Sequence, residues 1–346
     1  MDMIKGFATK IGTSLYTKKH EIPNRKTPWF TTSRIALGTH LGDMNEKDSE
    51  LYRESIEFCL ENGINLIDTA INYRGMRSER DVGFVLEKLI SKKGSIKREE
   101  IVISTKGGII PGDIEANLFP QDYLENVLLE NNVIKKSDLN IVDHLRHVLT
   151  PSYYQFAIEQ SRKHLNLETI DIYYIHNPEI SMKVLGPEIF YRQLRNLFSF
   201  LEEEVENQKI MFYGLATWHG LIYEPNESGY ISLEKVVEVA KSIAGENNHF
   251  KFIQFPLNRQ MDQGVTRKNQ QVKHSYFSVI NAARQLDLEV TTSAPFNLGK
   301  KFEEENNPAQ LLTQIMETRG ITSTMIGMKR VQHVVQNIEV IKNLSF

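Results

Sequence analysis

After a poorly patterned first 30 residues, short apolar runs alternate with amphipathic stretches along the chain. The apolar runs predict strands at Ile35–Gly38, Asn65–Asp68, Ile101–Lys106, Ile170–His176, Ile210–Thr217, Phe252–Pro256, Glu289–Ser293 and Ser323–Gly327. Several are apolar at successive positions, as in Ile101-Val102-Ile103, which suits a sheet covered on both faces. Between them, apolar residues recur at helical spacing. Tyr52, Ile56, Cys59 and Leu60 form one stripe, with Gly63 placed where a helix C-terminus favours it. Val82, Val85, Leu86 and Leu89 form another, with Ser78 as the expected N-cap. Phe190, Leu194, Leu197, Phe198, Leu201 and Val205 make the longest stripe, and Val331, Val334, Val335 and Ile338 the last.

Each of the eight expected strands is followed by a helical stretch, which argues for a parallel sheet. The number favours a (β/α)8 barrel, a TIM barrel, in the α/β class. An open doubly wound sheet should carry a Gly-rich turn after its first strand, but that turn reads LGTHLGDMN, without the G-x-G-x-x-G spacing. No composition shift marks a second domain, so residues 1–346 are expected to form one barrel domain, with the barrel proper at about 30–340. One connection is anomalous. The segment 107–150 is far longer than the usual link between a strand and its helix, and such loops are usually functional. In a barrel it belongs to the C-terminal mouth.

Composition narrows the partners. Lysine plus arginine is 41 and aspartate plus glutamate 44, a net charge of −3, which offers no basic excess for nucleic acid. No apolar run is long enough to span a membrane, and the start of the chain has no signal-peptide pattern. The single cysteine, Cys59, excludes an intramolecular disulfide, and its place on an apolar stripe reads as inert core. A cytoplasmic, small-molecule-binding protein is expected. His144 and His147 have a helical metal spacing but no third ligand, so no metal is expected. Glu202–Glu204 and Glu303–Glu305 read as solvated surface.

The chemistry lies at the strand ends. The second strand runs into Asp68-Thr69-Ala70-Ile71-Asn72-Tyr73, the third ends Thr105-Lys106-Gly107-Gly108, and the fourth ends His176-Asn177-Pro178-Glu179. In a barrel these tips converge. A lysine there is costly unless paired, and Asp68 is the obvious partner. A neighbouring cation favours the phenolate, so Lys106 is expected to lower the pKa of Tyr73 and make it a proton donor and acceptor. His176 could orient a substrate oxygen. Each residue alone has a bland reading: Asp68 as a turn cap, Tyr73 as packing, Lys106 reaching to the rim.

The stretch GINLIDTAINYRGMRSERDVG resembles the signature of the aldo-keto reductase family, with Asp68, Tyr73, Ser78, Glu79 and Gly83 as the matching positions. ISTKGG resembles that family's lysine strand and IDIYYIHNPE its histidine strand, and the resemblance extends over about residues 30–340. It implies a catalytic tetrad of Asp68, Tyr73, Lys106 and His176. The implied activity is reversible hydride transfer between a nicotinamide and a carbonyl or alcohol, with Tyr73 as general acid and base.

The resemblance also implies cofactor residues. Gly38 ends the first strand and Thr39 follows it, and Gln254 with Asn258 matches the sixth-strand segment that holds the carboxamide. TTSAPFNLGK resembles the pyrophosphate segment through Ser293, Pro295 and Leu298. GMKRVQHVVQN resembles the adenosine-binding stretch, with Gly327 beginning the loop, Lys329 near a 2′-phosphate, and Gln336 and Asn337 near the adenine. NADP(H) is therefore favoured and NAD(H) remains open. Without the resemblance, Lys329–Arg330 could equally be a solvated loop. The fifth strand departs from the family's Gly-x-Ser-Asn: it reads Gly214-Leu215-Ala216-Thr217, so a hydroxyl is lost at Ala216 and Thr217 replaces an amide, although threonine can still donate and accept. His40 and Trp218 are expected to line the substrate pocket, with packing the alternative for Trp218. Substrate choice is expected to rest on 107–150, on Trp218–Gly229 and on the segment after Gly299. Two other readings stay open, a redox-neutral isomerase or epimerase that retains its nicotinamide and a non-enzymatic binding subunit of the kind seen in potassium-channel β-subunits.

Overall fold

The computed structural model describes residues 3–299 and 307–344. Eight parallel strands close into a barrel: β1 (Ile35–Gly38), β2 (Leu66–Asp68), β3 (Val102–Gly107), β4 (Ile170–His176), β5 (Ile210–Ala216), β6 (Phe250–Pro256), β7 (Glu289–Ser293) and β8 (Ile321–Gly327), with β8 pairing back onto β1. The expected (β/α)8 architecture is the one observed, with strand ends differing from the expected ones by at most two residues. The helices that follow the strands are α1 (Glu46–Glu61), α2 (Arg77–Leu86), α3 (Pro151–Leu165), α4 (Glu179–Glu206), α5 (Leu233–Ala244), α6 (Val279–Gln285), α7 (Pro308–Glu317) and α8 (Val331–Lys342). No described helix is long and apolar enough to cross a membrane.

The alternation of side chains along each strand divides the apolar residues into two layers. Ala36, Leu66, Val102, Ile172, Tyr174, Phe212, Phe252 and Met325 point inward and form the barrel interior. Leu37, Ile67, Ile103, Tyr173, Ile175, Leu215 and Ile326 point outward and join the helices. The same parity carries upward along the strands. Ser104 and Lys106 share the inward face with Val102, and His176 shares it with Ile172 and Tyr174.

The first 30 residues are not loose. A helix at Lys10–Lys19 and a hairpin pairing Asn24–Lys26 with Thr31–Ser33 lie outside the barrel strands. Ala8 and Phe30 join the inner cluster, and the Trp29 ring lies 4.8 Å from that of Phe212. This segment closes the N-terminal end of the barrel. Periodicity does not announce it, because its contacts are with strands far along the chain.

Two local expectations are corrected. Ser78 is not the N-cap of α2: the helix begins at Arg77 after Met76 in a left-handed conformation, and the Ser78 hydroxyl instead donates to the Thr39 carbonyl at 2.8 Å. Glu202 and Glu204 are buried, not solvated. The tertiary fold supplies donors to Glu202, which accepts from the Tyr213 hydroxyl and from the His249 backbone, both at 2.8 Å. Glu204 pairs with Lys209 at 3.1 Å. Glu303–Glu305 lie outside the described residues, as does the segment just after Gly299.

Candidate active site

At the C-terminal ends of β2, β3 and β4, Asp68, Lys106 and His176 meet, with Tyr73 on the turn that follows β2. Lys106 is fully buried. Its Nζ donates to Asp68 Oδ2 at 2.5 Å and to the Thr69 carbonyl at 2.9 Å. The other Asp68 oxygen accepts from Ser104 Oγ at 2.7 Å and from Gln254 Nε2 at 3.2 Å. Burial opposes the ammonium, but Asp68 and then Tyr73 outweigh it, so the Lys106 pKa lies above its usual value and the side chain stays charged.

Tyr73 keeps part of its surface open to the mouth. Its ring centre lies 4.9 Å from Lys106 Nζ, 4.7 Å from the His40 ring and 5.6 Å, edge-on, from the His176 ring. The expectation that Lys106 lowers the tyrosine pKa is corrected. Burial raises it above the ordinary value, and the Lys106 charge only partly offsets that. The phenol is therefore protonated at neutral pH.

His176 places Nδ1 3.2 Å from Asn72 Oδ1. Burial, and then the Lys106 charge, hold its pKa well below 6.5, so the ring is neutral. His40 stands exposed at the rim, with its pKa lowered by desolvation and by Lys106.

The other signature residues do structural work. The buried Glu79 accepts from Thr105 Oγ1 at 2.6 Å and faces His164 Nδ1 at 2.9 Å, which fixes the strand position next to Lys106. A Cβ on Gly83 would come within 2.0 Å of the His164 carbonyl oxygen, so only glycine lets α2 approach α3 this closely. Three site neighbours were not singled out from sequence. Ser104 is two residues before Lys106, on the same strand face. Asn72 precedes Tyr73. Glu179, three residues after His176, is buried and accepts from the Trp218 and His219 amides at 2.6 and 2.9 Å. Inward parity was the available signal for Ser104; a carboxylate close to a strand tip was the one for Glu179.

The positions assigned to a cofactor by resemblance fall unevenly. The Thr217 hydroxyl is buried at the mouth with no partner, and its amide donates to the Gln254 carbonyl at 2.9 Å. An unused buried hydroxyl beside Gln254 fits a polar ring substituent such as a carboxamide. Gly38 faces the mouth, half-buried, on the inward parity of β1. Thr39 is different: its hydroxyl is already engaged with Thr69 Oγ1 at 2.9 Å and the Asp68 carbonyl at 3.3 Å, where it braces β2. Ser293 and Leu298 are half-buried and Pro295 buried, in a turn where Ala294, Asn297 and Leu298 are left-handed and Asn258 donates to the Ala294 carbonyl at 2.9 Å. Gly327 and Arg330 are exposed just before α8, on which Gln336 is exposed and Asn337 half-buried. Lys329 pairs with Asp48 Oδ2 at 2.7 Å. That ion pair and the Asp43 amide hold the Asp48 carboxyl below its usual pKa. Trp218 is half-buried on the rim beside His219. The segment 107–150 packs on the same end. Ile109 bridges to His147, Ile114 donates its amide to the Gly75 carbonyl at 3.2 Å, and Arg80 holds Asp113 at 2.8 Å.

The sequence model described as the aldo/keto reductase family matches residues 34–223, more than half of the chain. No curated protein matches the chain by sequence. Among solved structures, it is similar to a glycerol dehydrogenase from Gluconobacter oxydans (TM-score 0.62, 17% identity, covering 94% of this chain and 90% of that one). It is also similar to the holo form of an aldo-keto reductase from Bacillus halodurans (TM-score 0.61, 16% identity, 94% and 92%). A third is an aldo-keto reductase from Klebsiella pneumoniae solved with NADP and acetate (TM-score 0.59, 16% identity, 92% and 88%). At these identities the structural likeness concerns the fold alone.

Proposed function

The chain belongs to the aldo/keto reductase family, and we propose that it is an NADP(H)-dependent oxidoreductase that reversibly reduces the carbonyl of a small aldehyde, ketone or sugar. The observation that carries this reading is the cluster of Tyr73, Lys106, Asp68 and His176 at one barrel mouth, with the lysine buried and paired at 2.5 Å. A bound nicotinamide would supply or accept the hydride. Thr217, Gln254 and Gly38 would hold its ring end, Ser293, Pro295 and Leu298 its pyrophosphate, and Lys329, Arg330, Gln336 and Asn337 its adenosine end. The protein's own work is proton handling and positioning. Tyr73 donates a proton to the carbonyl oxygen as negative charge builds there. Lys106 stabilises the phenolate left behind, and Asp68 keeps that lysine charged and in place. His176, neutral, hydrogen-bonds the substrate oxygen without adding a further positive charge beside Lys106. His40 and Trp218 flank the entrance.

We assign the whole chain to one barrel domain in which 107–150 borders the mouth. The single cysteine supports a cytoplasmic location as part of this reading. The test is to titrate the purified protein with NADPH and NADH and then assay a carbonyl panel by absorbance at 340 nm. Turnover with NADPH that is lost in Tyr73→Phe is the expected result. Failure to bind either nucleotide, or full activity in the variant, overturns the reading.

A further inference from the structure

Three consecutive residues after Tyr73 occupy the left-handed region: Arg74 at φ 50°, Gly75 at 59° and Met76 at 68°. Glycine does so freely, whereas arginine and methionine crowd their Cβ against the following carbonyl. Arg74 is nevertheless no surface residue tolerated in a turn. Its guanidinium is buried, and all three nitrogens have acceptors. Nε donates to the Asp43 carbonyl at 3.0 Å, Nη1 to Asp81 Oδ2 at 2.7 Å and Nη2 to Ser49 Oγ at 2.9 Å. The guanidinium also lies 4.9 Å over the Tyr52 ring. These partners belong to the loop after β1, to α2 and to α1. One side chain thus ties the turn that carries Tyr73 to three other pieces of the fold.

We propose that Arg74 is a positioning residue for Tyr73, holding the turn so that the phenol stays beside Lys106 and His176. The proposal rests on the reading of Tyr73 as the acid. Strained backbone persists only where the surroundings over-determine it, and here the guanidinium does so from one side. The segment 107–150 does so from the other, because a Cβ on Gly75 would lie 2.9 Å from the Ile114 Cβ. Charge neutralisation alone does not explain the arrangement. Asp81 has a second cation, Arg53, whose Nε donates to it at 2.8 Å. A residue needed only to neutralise Asp81 has no reason to sit in a left-handed backbone. The backbone tie of Tyr73 itself is a local one, from its amide to the Ala70 carbonyl at 3.1 Å.

Arg74→Gly in the full chain separates the possibilities. Glycine adopts this φ without strain, so a role confined to the local backbone leaves activity and stability as they were. A positioning role lowers kcat by about tenfold or more, as misplacement of a catalytic group does. KM stays within about threefold, because ground-state binding is not what is lost. In nucleotide-free protein, amide hydrogen exchange over residues 70–78 accelerates by about tenfold, reporting local opening. Arg74→Gly combined with Asp81→Asn removes the leftover carboxylate charge and should show the same losses, which covers a single variant that folds poorly. Wild-type kcat in either folded variant overturns the proposal, whatever the exchange shows, and wild-type exchange shows that Arg74 does not hold the turn. If the wild-type chain reduces no carbonyl, the reading of Tyr73 falls, and the exchange measurement still decides whether Arg74 holds the turn.

Discussion

The barrel carries a buried ion pair at each end, and the two differ in what stands beside them. At the N-terminal end Arg98 pairs with Asp171 at 2.7 Å. Arg98 also donates to the Ile101 and Thr169 carbonyls, at 2.8 and 3.0 Å, and Asp171 accepts from the amides of Ala8 and Ile103, both at 2.7 Å. These bonds stitch the N-terminal segment onto β3 and β4. At the mouth, the Lys106–Asp68 pair is as deeply buried. Two of its three ammonium donors are spent on Asp68 and Thr69, and the ammonium also bonds the Tyr73 side chain. Burial of an ion pair says little about function, since both ends have one. What separates them is the neighbour: the Lys106 ammonium faces a proton donor that reaches the solvent, whereas the Arg98 guanidinium faces backbone carbonyls and its own carboxylate.

Substitutions at the two ends should break in different ways. The largest effect is expected at the mouth. Tyr73→Phe keeps the ring and its packing but loses the proton, so kcat should fall about 10²–10⁴-fold while the thermal midpoint barely moves. Steady-state kinetics and calorimetry on the same preparation check both halves, and a variant with most of its activity would erase the distinction between the ends. At the other end, Arg98→Met leaves Asp171 buried without its cation. Burial already raises the Asp171 pKa against the opposing pull of Arg98. Stability should drop by about 3–5 kcal/mol in urea unfolding. Turnover per folded molecule should be retained, and a loss of kcat in fully folded protein would show that the two ends are coupled.

His147 sharpens the comparison within the mouth end. Its Nδ1 lies 2.7 Å from Ser181 Oγ on α4, and burial pushes its pKa down to about 3 from the usual 6.5. Between those values the unfolded chain takes up a proton that the folded chain refuses. Stability should therefore fall as pH drops from 6.5 toward 3, by about 1.4 kcal/mol per pH unit for this group. Denaturant midpoints across that range should show a shallower slope in His147→Asn. The slope should shrink rather than vanish, because the buried His176 contributes with the same sign. A slope unchanged in the variant would show that His147 is not the group responsible.

The smallest effect is expected where the adenosine end is proposed to lie. Lys329 already pairs with Asp48, so its contribution to a 2′-phosphate should fall at the low end for a charge-assisted contact, about 1.5 kcal/mol or roughly tenfold in affinity. Lys329→Met should weaken NADPH more than NADH, and Asp48→Asn should widen the NADPH preference. Equal affinity of the wild-type protein for both nucleotides would remove the NADP assignment and leave the mouth chemistry untouched.

Local pattern alone determined a great deal. The alternation of apolar runs and helical stripes was enough for an eight-unit barrel, because strand and helix periods are properties of neighbouring residues. Their place at converging strand tips then brought Asp68, Lys106 and His176 to one mouth. The spacing of Asp68, Tyr73, Ser78, Glu79 and Gly83 marked the family. Only the tertiary structure decided how charged and polar groups are used. Glu202 looks like a surface carboxylate in the chain but is buried, because the fold brings Tyr213 and His249 to it, and the use of Glu79 is set by Thr105 and His164, which the fold brings to it. Lys329 meets a carboxylate 281 positions away, and Ala8 one 163 away. The direction of the Tyr73 pKa shift has the same origin. A nearby lysine argues for a lowered value, and the sequence supplies that lysine. Burial raises it further than the lysine lowers it, and burial is set by every element packed around the ring, which no local pattern records.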